Sequence, residues 1–448
     1  MRAATVPLRH LLYRCPACGR DPVDGDRDQV SCPACGARFA RGRGARIAVR
    51  GCDRWPREVH PSVLVDRIDA LGGPFPGPGP PHVDVVHEAR VLTRWIQGER
   101  PVQDGGCLLG YTERSGPSRV GFVTATEDAL LLRPGRSGAA ERWRLADIRS
   151  VQTASSQLQL RHRDGRIVAL GFPDDSPLRW ESLLRTLLSA AWRGAGRDEP
   201  AEFQPRIVTA AEQHWGVASR PLPGTSKGPT PPRHPVFYGL VRGLARMGLR
   251  LRVDLEVSGV GHVPGRGPFV LLVNHESVLD PILVQAACPR PLHAMTKSTQ
   301  FGGGAWRRLL VRLQAFPTRR FRVDPQAVRT SLRLLAAGRG VGIFPEGERS
   351  WDGRLQAFRR GAMRLVLAAG VPVVPCRLTG SYHLLPRWSR RLRGGPARVA
   401  FGPPMSFADE AAGGEGDPVA AVEGRVRRAL LALRPRPERG AEPGDEPA

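Results

Sequence analysis

A histidine and an aspartate separated by four residues, His275 and Asp280 in the stretch NHESVLD, are the pair in this 448-residue chain whose types and spacing could do acid–base chemistry. The apolar run Phe269 to Val273 reads as a buried strand, and Asn274 then opens a loop or helix start, so a strand end delivers the histidine. A carboxylate about one helical turn further on would fix the imidazole tautomer and favour the imidazolium formed when the base takes a proton. Taken alone, the pair fits a surface histidine and an N-capping aspartate more readily, so other segments must decide between the two.

A second group could bind metal. Cys15, Cys18, Cys32 and Cys35, in CPACGR and CPACGARF, form two C-x2-C knuckles whose Pro and Gly favour tight turns with backbone N–H groups facing sulfur. The pattern resembles a zinc ribbon; a redox pair or a rubredoxin-like iron site is the competing reading. Four thiolates leave no open coordination position, so the expected Zn2+ is structural. Cys52, Cys107, Cys288 and Cys376 show no ligand spacing and are expected to be buried small residues.

The elements that must position these groups fall into several domains. The zinc-ribbon-like segment is expected over 1–50 and an irregular linker over 51–86, with one short helix from Pro61 to Leu71 and a Pro/Gly stretch, GGPFPGPGPP, near its end. Residues 87–196 carry short alternating strands, with Asp164-Gly165 at a hairpin turn. They close on a helix whose apolar face is Trp180, Leu183, Leu184, Leu187, Leu188 and Ala191. That order resembles a pleckstrin-homology (PH) or GRAM-type module, which implies an acidic-lipid or protein partner; Arg161, Arg163 and Arg166 at the hairpin are its headgroup candidates, or else ordinary surface charge. A second linker is expected over 197–233, a further domain over 234–434 and a disordered tail over 435–448.

The formal net charge is +25, but only Lys227 and Lys297 among the 67 Lys+Arg residues are lysine. Such lopsided usage points to a compositional bias, and nucleic acid is not an expected partner. No signal-peptide pattern opens the chain, and no run approaches the ~18 apolar residues of a membrane-spanning helix. The expected location is therefore cytoplasmic, on the cytoplasmic face of a membrane. The segment VFYGLVRGLARMGLRLRV supports this placement: Phe237, Leu240, Val241, Leu244 and Leu251 line one side of a helix, with Arg242, Arg246 and Arg250 on another. It suits an anionic membrane interface, or equally a packed helix with an exposed arginine edge.

Beyond NHESVLD, the chain places Lys297 in AMTKSTQF, Pro317 to Arg320 in AFPTRRF, Glu346 to Arg349 in FPEGERS, and the strand-like VPVVPC. In order and spacing these blocks resemble the motifs of the glycerolipid acyltransferases, most closely the 1-acylglycerol-3-phosphate acyltransferases. The resemblance implies an α/β domain with a mostly parallel sheet. It implies that His275 is a general base held by Asp280, and that an acceptor hydroxyl attacks the thioester of acyl-CoA or acyl carrier protein with no covalent acyl-enzyme. It implies also that Lys297, Arg319 or Arg320, and Arg349 bind the acceptor phosphate around a turn shaped by Glu346 and Gly347. A lysophospholipid acceptor would yield phosphatidate. Glu348 departs from the family, where threonine is usual; it must point away, pair with a cation such as Arg319, or signal another acceptor. Those acceptors include glycerol 3-phosphate, another lysophospholipid or a glycolipid alcohol. A non-catalytic scaffold binding lipid or protein through the N-terminal half is the reading from a different class.

Overall fold

The computed structural model describes residues 6–53, 55–71, 85–135, 137–154, 157–194, 202–203, 207–208, 229–319, 324–389, 391–412 and 417–433. Most of the two expected linkers, the tail and Arg320 lie outside these residues.

Short strands that bury alternate residues build the N-terminal unit. Val30, Phe39, Ile47, Val49 and Val59 are buried along β1 (Asp24–Gly25), β2 (Gln29–Ser31), β3 (Arg38–Arg41), β4 (Ile47–Arg50) and β5 (Glu58–Val59), an antiparallel sheet in that order. The ladder therefore runs past residue 50, where a linker was expected, because Ile47 and Ala48 pair with Val59 and Glu58. Helix α1 (Pro61–Ala70) follows, as the sequence suggested, with the His60 side chain accepting from the Ser62 N–H.

The second unit is a sheet of eight antiparallel strands: β6 (Val85–Asp104), β7 (Cys107–Ser115), β8 (Arg119–Thr126), β9 (Ala129–Pro134), β10 (Glu141–Arg144), β11 (Ile148–Ala154), β12 (Gln157–His162) and β13 (Ile167–Gly171). Trp180, Leu183, Leu184 and Leu188 of α2 (Pro177–Gly194) are buried against Leu158, Leu160, Val168 and Leu170, the face the 3.6-residue period predicts. The hairpin turns at Gly165, where φ is +91°. Strand β6 is longer than the alternation foretold. Its far half pairs with β7 into an arm whose Val102, Cys107 and Leu109 join the core of the C-terminal domain.

A short ladder, β14 (Glu202–Phe203) with β15 (Ile207–Val208), precedes that domain. The domain runs α3 (Pro235–Arg250), β16 (Val253–Ser258), β17 (Phe269–Val273), α4 (Asp280–Ala287), β18 (Leu292–Lys297), α5 (Gly304–Arg312), β19 (Ala315–Thr318), α6 (Pro325–Ala336), β20 (Gly340–Ile343), α7 (Arg360–Ala369), β21 (Val373–Thr379), α8 (Ser381–Leu384), β22 (Gly395–Phe401), α9 (Ala408–Ala412) and α10 (Pro418–Ala432). The sheet order is β16-β22-β21-β17-β20-β18-β19. All neighbouring pairs are parallel except β21 with β22, so the sheet is mixed. β17 is buried at all five positions, the continuous apolar run of a strand covered on both faces. Parallel pairing puts the C-terminal ends of β17, β20, β18 and β19 in a row on one edge, where a ligand site is expected in such a sheet. Among the described residues no helix is long and apolar enough to cross a membrane.

Candidate active site

The loop leaving β17 is locked to its neighbours before it presents any reactive group. Asn274 continues the ladder with its side chain: its Oδ1 accepts the Leu378 N–H at 2.6 Å and its Nδ2 donates to the Leu378 carbonyl at 2.9 Å. Ser277 Oγ donates to the Leu385 carbonyl. Between them, His275 is held through its backbone. Its N–H donates to Glu346 Oε1 at 2.6 Å, and its carbonyl accepts the Ser350 N–H at 2.7 Å. The β17 loop and the turn after β20 are thus stitched together on both sides of the histidine.

Asp280 does not act as a helix cap. The N-cap of α4 is Leu279, which makes no side-chain cap, and Asp280 turns back into the loop instead. Its Oδ2 lies 2.8 Å from His275 Nδ1 and accepts the N–H groups of Glu276 and Ser277 at 2.6 and 2.7 Å. Three contacts thus converge on one oxygen of a fully buried carboxylate. Asp280 engages Nδ1, so Nε2 is the ring nitrogen outside that pairing, and the imidazole stacks on Phe344 with ring centroids 4.2 Å apart. Burial holds the His275 pKa below its usual 6.5, opposed by the hydrogen bond and charge of Asp280; Arg349 lowers it further and Glu348 raises it. A neutral imidazole backed by a carboxylate is the state a general base needs.

Glu346 shapes the facing turn by accepting the His275 N–H and, at 2.8 Å, the Gln356 N–H. Burial raises its carboxyl to about 8 against those two hydrogen bonds and nearby Arg377. Gly347 has φ +69°, a conformation that favours glycine, and a Cβ there would displace the Arg359 side chain. Lys297 ends β18 on the same sheet edge; burial raises the Glu113 carboxyl on the β7 arm, and the charge of Lys297 is among the effects that oppose it.

Two expectations about arginines change. Arg319 is committed to carboxylates, Glu99 at 2.6 Å and Asp324 at 2.8 Å, and lies over Tyr111. It braces the β6–β7 arm against the domain, and Glu348 pairs with Arg387 instead. On α3, Arg242 and Arg246 donate to the carbonyls of Cys288 and Ala286 at the end of α4, where cations complement the helix dipole. They do not form a free basic edge, whereas Val236, Leu240, Leu244, Met247 and Leu251 are exposed.

Three groups behind the pair were not legible in the sequence. Asn274 sits inside NHESVLD, yet its bridging role depends on β21, a hundred residues away. Glu276 is buried and its carboxyl raised to about 7 by desolvation, while Arg377 of β21 is a buried cation that lowers both Glu276 and Glu346. The run Val-Val-Pro-Cys-Arg-Leu is buried at every position, and its composition does not announce a buried arginine.

The cysteine knuckles come together. Gly19 and Gly36 close equivalent turns by donating to the Cys15 and Cys32 carbonyls, both with positive φ. The four Sγ atoms lie within 4.8 Å of one another, with Cys15–Cys35 at 3.7 Å and Cys18–Cys32 at 3.5 Å. A tetrahedron with Zn–S of ~2.3 Å has an edge of ~3.8 Å, so the donor set fits. At the hairpin, Arg163 pairs with Asp147, and Arg166 with Asp164 and Glu141, so two of the three expected headgroup contacts are engaged by carboxylates.

Residues 254–379, which span the His275 loop, the Lys297 strand and the Glu346 turn, match the family profile described as Acyltransferase. The match to that family lies wholly within the C-terminal domain. The chain is similar to 1-acyl-sn-glycerol-3-phosphate acyltransferase alpha of Homo sapiens, 29% identical over 184 residues, which covers 40% of this chain and 64% of that protein. It is also similar to the 1-acyl-sn-glycerol-3-phosphate acyltransferase of Bacillus subtilis (strain 168), 28% identical over 175 residues, 39% of this chain and 84% of that one. The chain thus spans less than two thirds of the mammalian relatives and most of the bacterial one. A solved structure, the acyltransferase PlsC from Thermotoga maritima, covers 44% of this chain and 81% of its own at 22% identity and a TM-score of 0.37.

Proposed function

We propose that the chain is an O-acyltransferase that moves a fatty acyl group from acyl-CoA or acyl carrier protein to the free hydroxyl of a 1-acylglycerol 3-phosphate, giving phosphatidate. The observation that carries this reading is the His275–Asp280 pair, aligned at 2.8 Å by a carboxylate that leaves its own helix uncapped. Nε2 of His275 takes the proton of the acceptor hydroxyl as its oxygen attacks the thioester carbonyl; the tetrahedral centre collapses, the C–S bond breaks, and the imidazolium passes that proton to the departing sulfur, releasing the thiol. Asp280 balances the imidazolium formed meanwhile. A positioned base supplies roughly 10²- to 10⁴-fold, so orientation of the two substrates must supply much of the remainder. Arg349 and Lys297 are the cations this reading assigns to the acceptor phosphate, Arg349 as a planar fork and Lys297 as a point charge.

The same reading places the protein on the cytoplasmic face of an anionic membrane. The exposed apolar side of α3, together with exposed Val278 and Ile282 on either side of Asp280, would face the lipid from which the acceptor comes. Zinc at the four cysteines would be structural, tying the two knuckles together. The eight-stranded unit with its closing helix would act as a PH-like module toward lipid or a protein partner. Purified full-length protein given one labelled acyl-CoA and a panel of acceptors tests the proposal. Labelled phosphatidate is the expected product, and label confined to an unphosphorylated or glycolipid acceptor would replace this acceptor with another.

A further inference from the structure

An acceptor phosphate drawn to Arg349 must approach the neighbouring carboxylate of Glu348, which is only 7% exposed. The charge has a built partner. Arg387, 2% exposed, lies between Pro386 and Trp388 just beyond α8, and its Nη2 is 3.4 Å from Glu348 Oε2. Its Nη1 donates to the Arg349 carbonyl at 2.6 Å, and its guanidinium lies 4.0 Å from the ring centroid of Trp351. Arg387 is fixed in turn from outside the domain. Its carbonyl accepts the Val6 N–H at 3.3 Å, and Trp388 and Trp351 pack into the same cluster as Leu8, Leu12, Cys15 and Phe39 of the cysteine-knuckle unit.

We propose that Arg387 is a positioning residue for the anion site, neutralising Glu348 and fixing the backbone of Arg349 so that a phosphate can be received beside a carboxylate. Only a planar fork serves the carboxylate, the carbonyl and the aromatic face together; a lysine ammonium could satisfy one or two. Removing Arg387 would strip a buried carboxylate of this partner, the costly half of breaking a buried pair. A carboxylate that loses this neutralisation at ~5 Å from a phosphate, in an effective dielectric of ~20, weakens binding by up to roughly a hundredfold per unit of opposing charge. The identity of the anion as an acceptor phosphate rests on the acyltransferase reading; the anion site does not require turnover.

The test is equilibrium binding by calorimetry to the full-length protein, with glycerol 3-phosphate and a six-carbon 1-acylglycerol 3-phosphate as charged probes and the matching monoacylglycerol as the uncharged one. Arg387→Met keeps the packing stem over Trp351. It is expected to weaken the charged probes by up to roughly a hundredfold while sparing the monoacylglycerol, and adding Glu348→Gln should restore most of the loss. Should Arg387→Met fail to fold, Glu348→Gln alone is expected to tighten the charged probes. Equal weakening of charged and uncharged probes, no rescue by Glu348→Gln, or wild-type protein that does not prefer the charged probes would each overturn the proposal. A wild type that shows this binding pattern but transfers no acyl group would refute the acyltransferase reading alone; one that transfers without the pattern would refute the role of Arg387 alone.

Discussion

Replacing Asp280 with asparagine removes one negative charge from a fully buried position and keeps the side chain's shape. In the structure Oδ2 accepts from His275 Nδ1, Glu276 N–H and Ser277 N–H, while Oδ1 is buried with no hydrogen bond among the described residues. An asparagine that keeps its oxygen on those three donors turns its amide toward the Oδ1 position, burying unpaired N–H groups at ~1–3 kcal/mol of stability. The larger effect falls on the reaction. As His275 becomes imidazolium, charge centres ~4 Å apart in an effective dielectric of ~20 attract by ~4 kcal/mol. Losing that attraction in the transition state slows the chemical step by roughly 10³-fold. The assay is steady-state release of the CoA thiol, run beside a thermal melt. The expected result is kcat down by about three orders of magnitude, with KM for donor and acceptor little changed because Asp280 is buried behind the imidazole. A folded Asp280→Asn protein that keeps more than about a tenth of wild-type kcat would refute the reasoning, since a tenfold loss corresponds to only ~1.4 kcal/mol.

Other outcomes follow from the same geometry. Because burial holds the His275 pKa below 6.5 and protonation destroys the base, kcat/KM should stay level as pH falls to 6.5 and drop only below it; Arg349→Met should move that limb upward and Glu348→Gln downward, read from full pH–rate profiles. Protein purified with zinc should carry one ion per chain by mass spectrometry of the native protein, and Cys18→Ser with Cys35→Ser should abolish it and lower the melting temperature. Leu240→Asp with Leu244→Asp should cut co-sedimentation with phosphatidylglycerol vesicles at least tenfold, since burying two leucines contributes up to ~3–6 kcal/mol; undiminished binding would remove α3 from the membrane interface.

The parts of this molecule legible in its sequence are those set by local pattern. The strand Phe269–Val273 is apolar at every position, Asp164-Gly165 marks its hairpin, the α2 face follows the helical period, and the two cysteine knuckles carry their own turn glycines. What was not legible depends on residues distant in the chain meeting in space. Arg242 and Arg246 have the spacing of a basic stripe, but their partners are carbonyls ending another helix, about forty residues on. Arg319 looked like a phosphate ligand until Glu99, on a strand arm two hundred and twenty residues earlier, took its charge. Glu348 looked like an obstacle to a phosphate because Arg387 lies outside every motif block. The long reach of β6 was hidden because Gly98 and Pro101, in the middle of its alternation, read as a break rather than the crossing from one partner strand to the next.

The central claim, that His275 is the base of an acyl transfer, is tested most directly by product analysis with one labelled acyl-CoA and 1-acylglycerol 3-phosphate, comparing wild type with His275→Ala of matched melting temperature. The account predicts labelled phosphatidate from the wild type and none above background from His275→Ala. Normal turnover in the His275→Ala protein would contradict it.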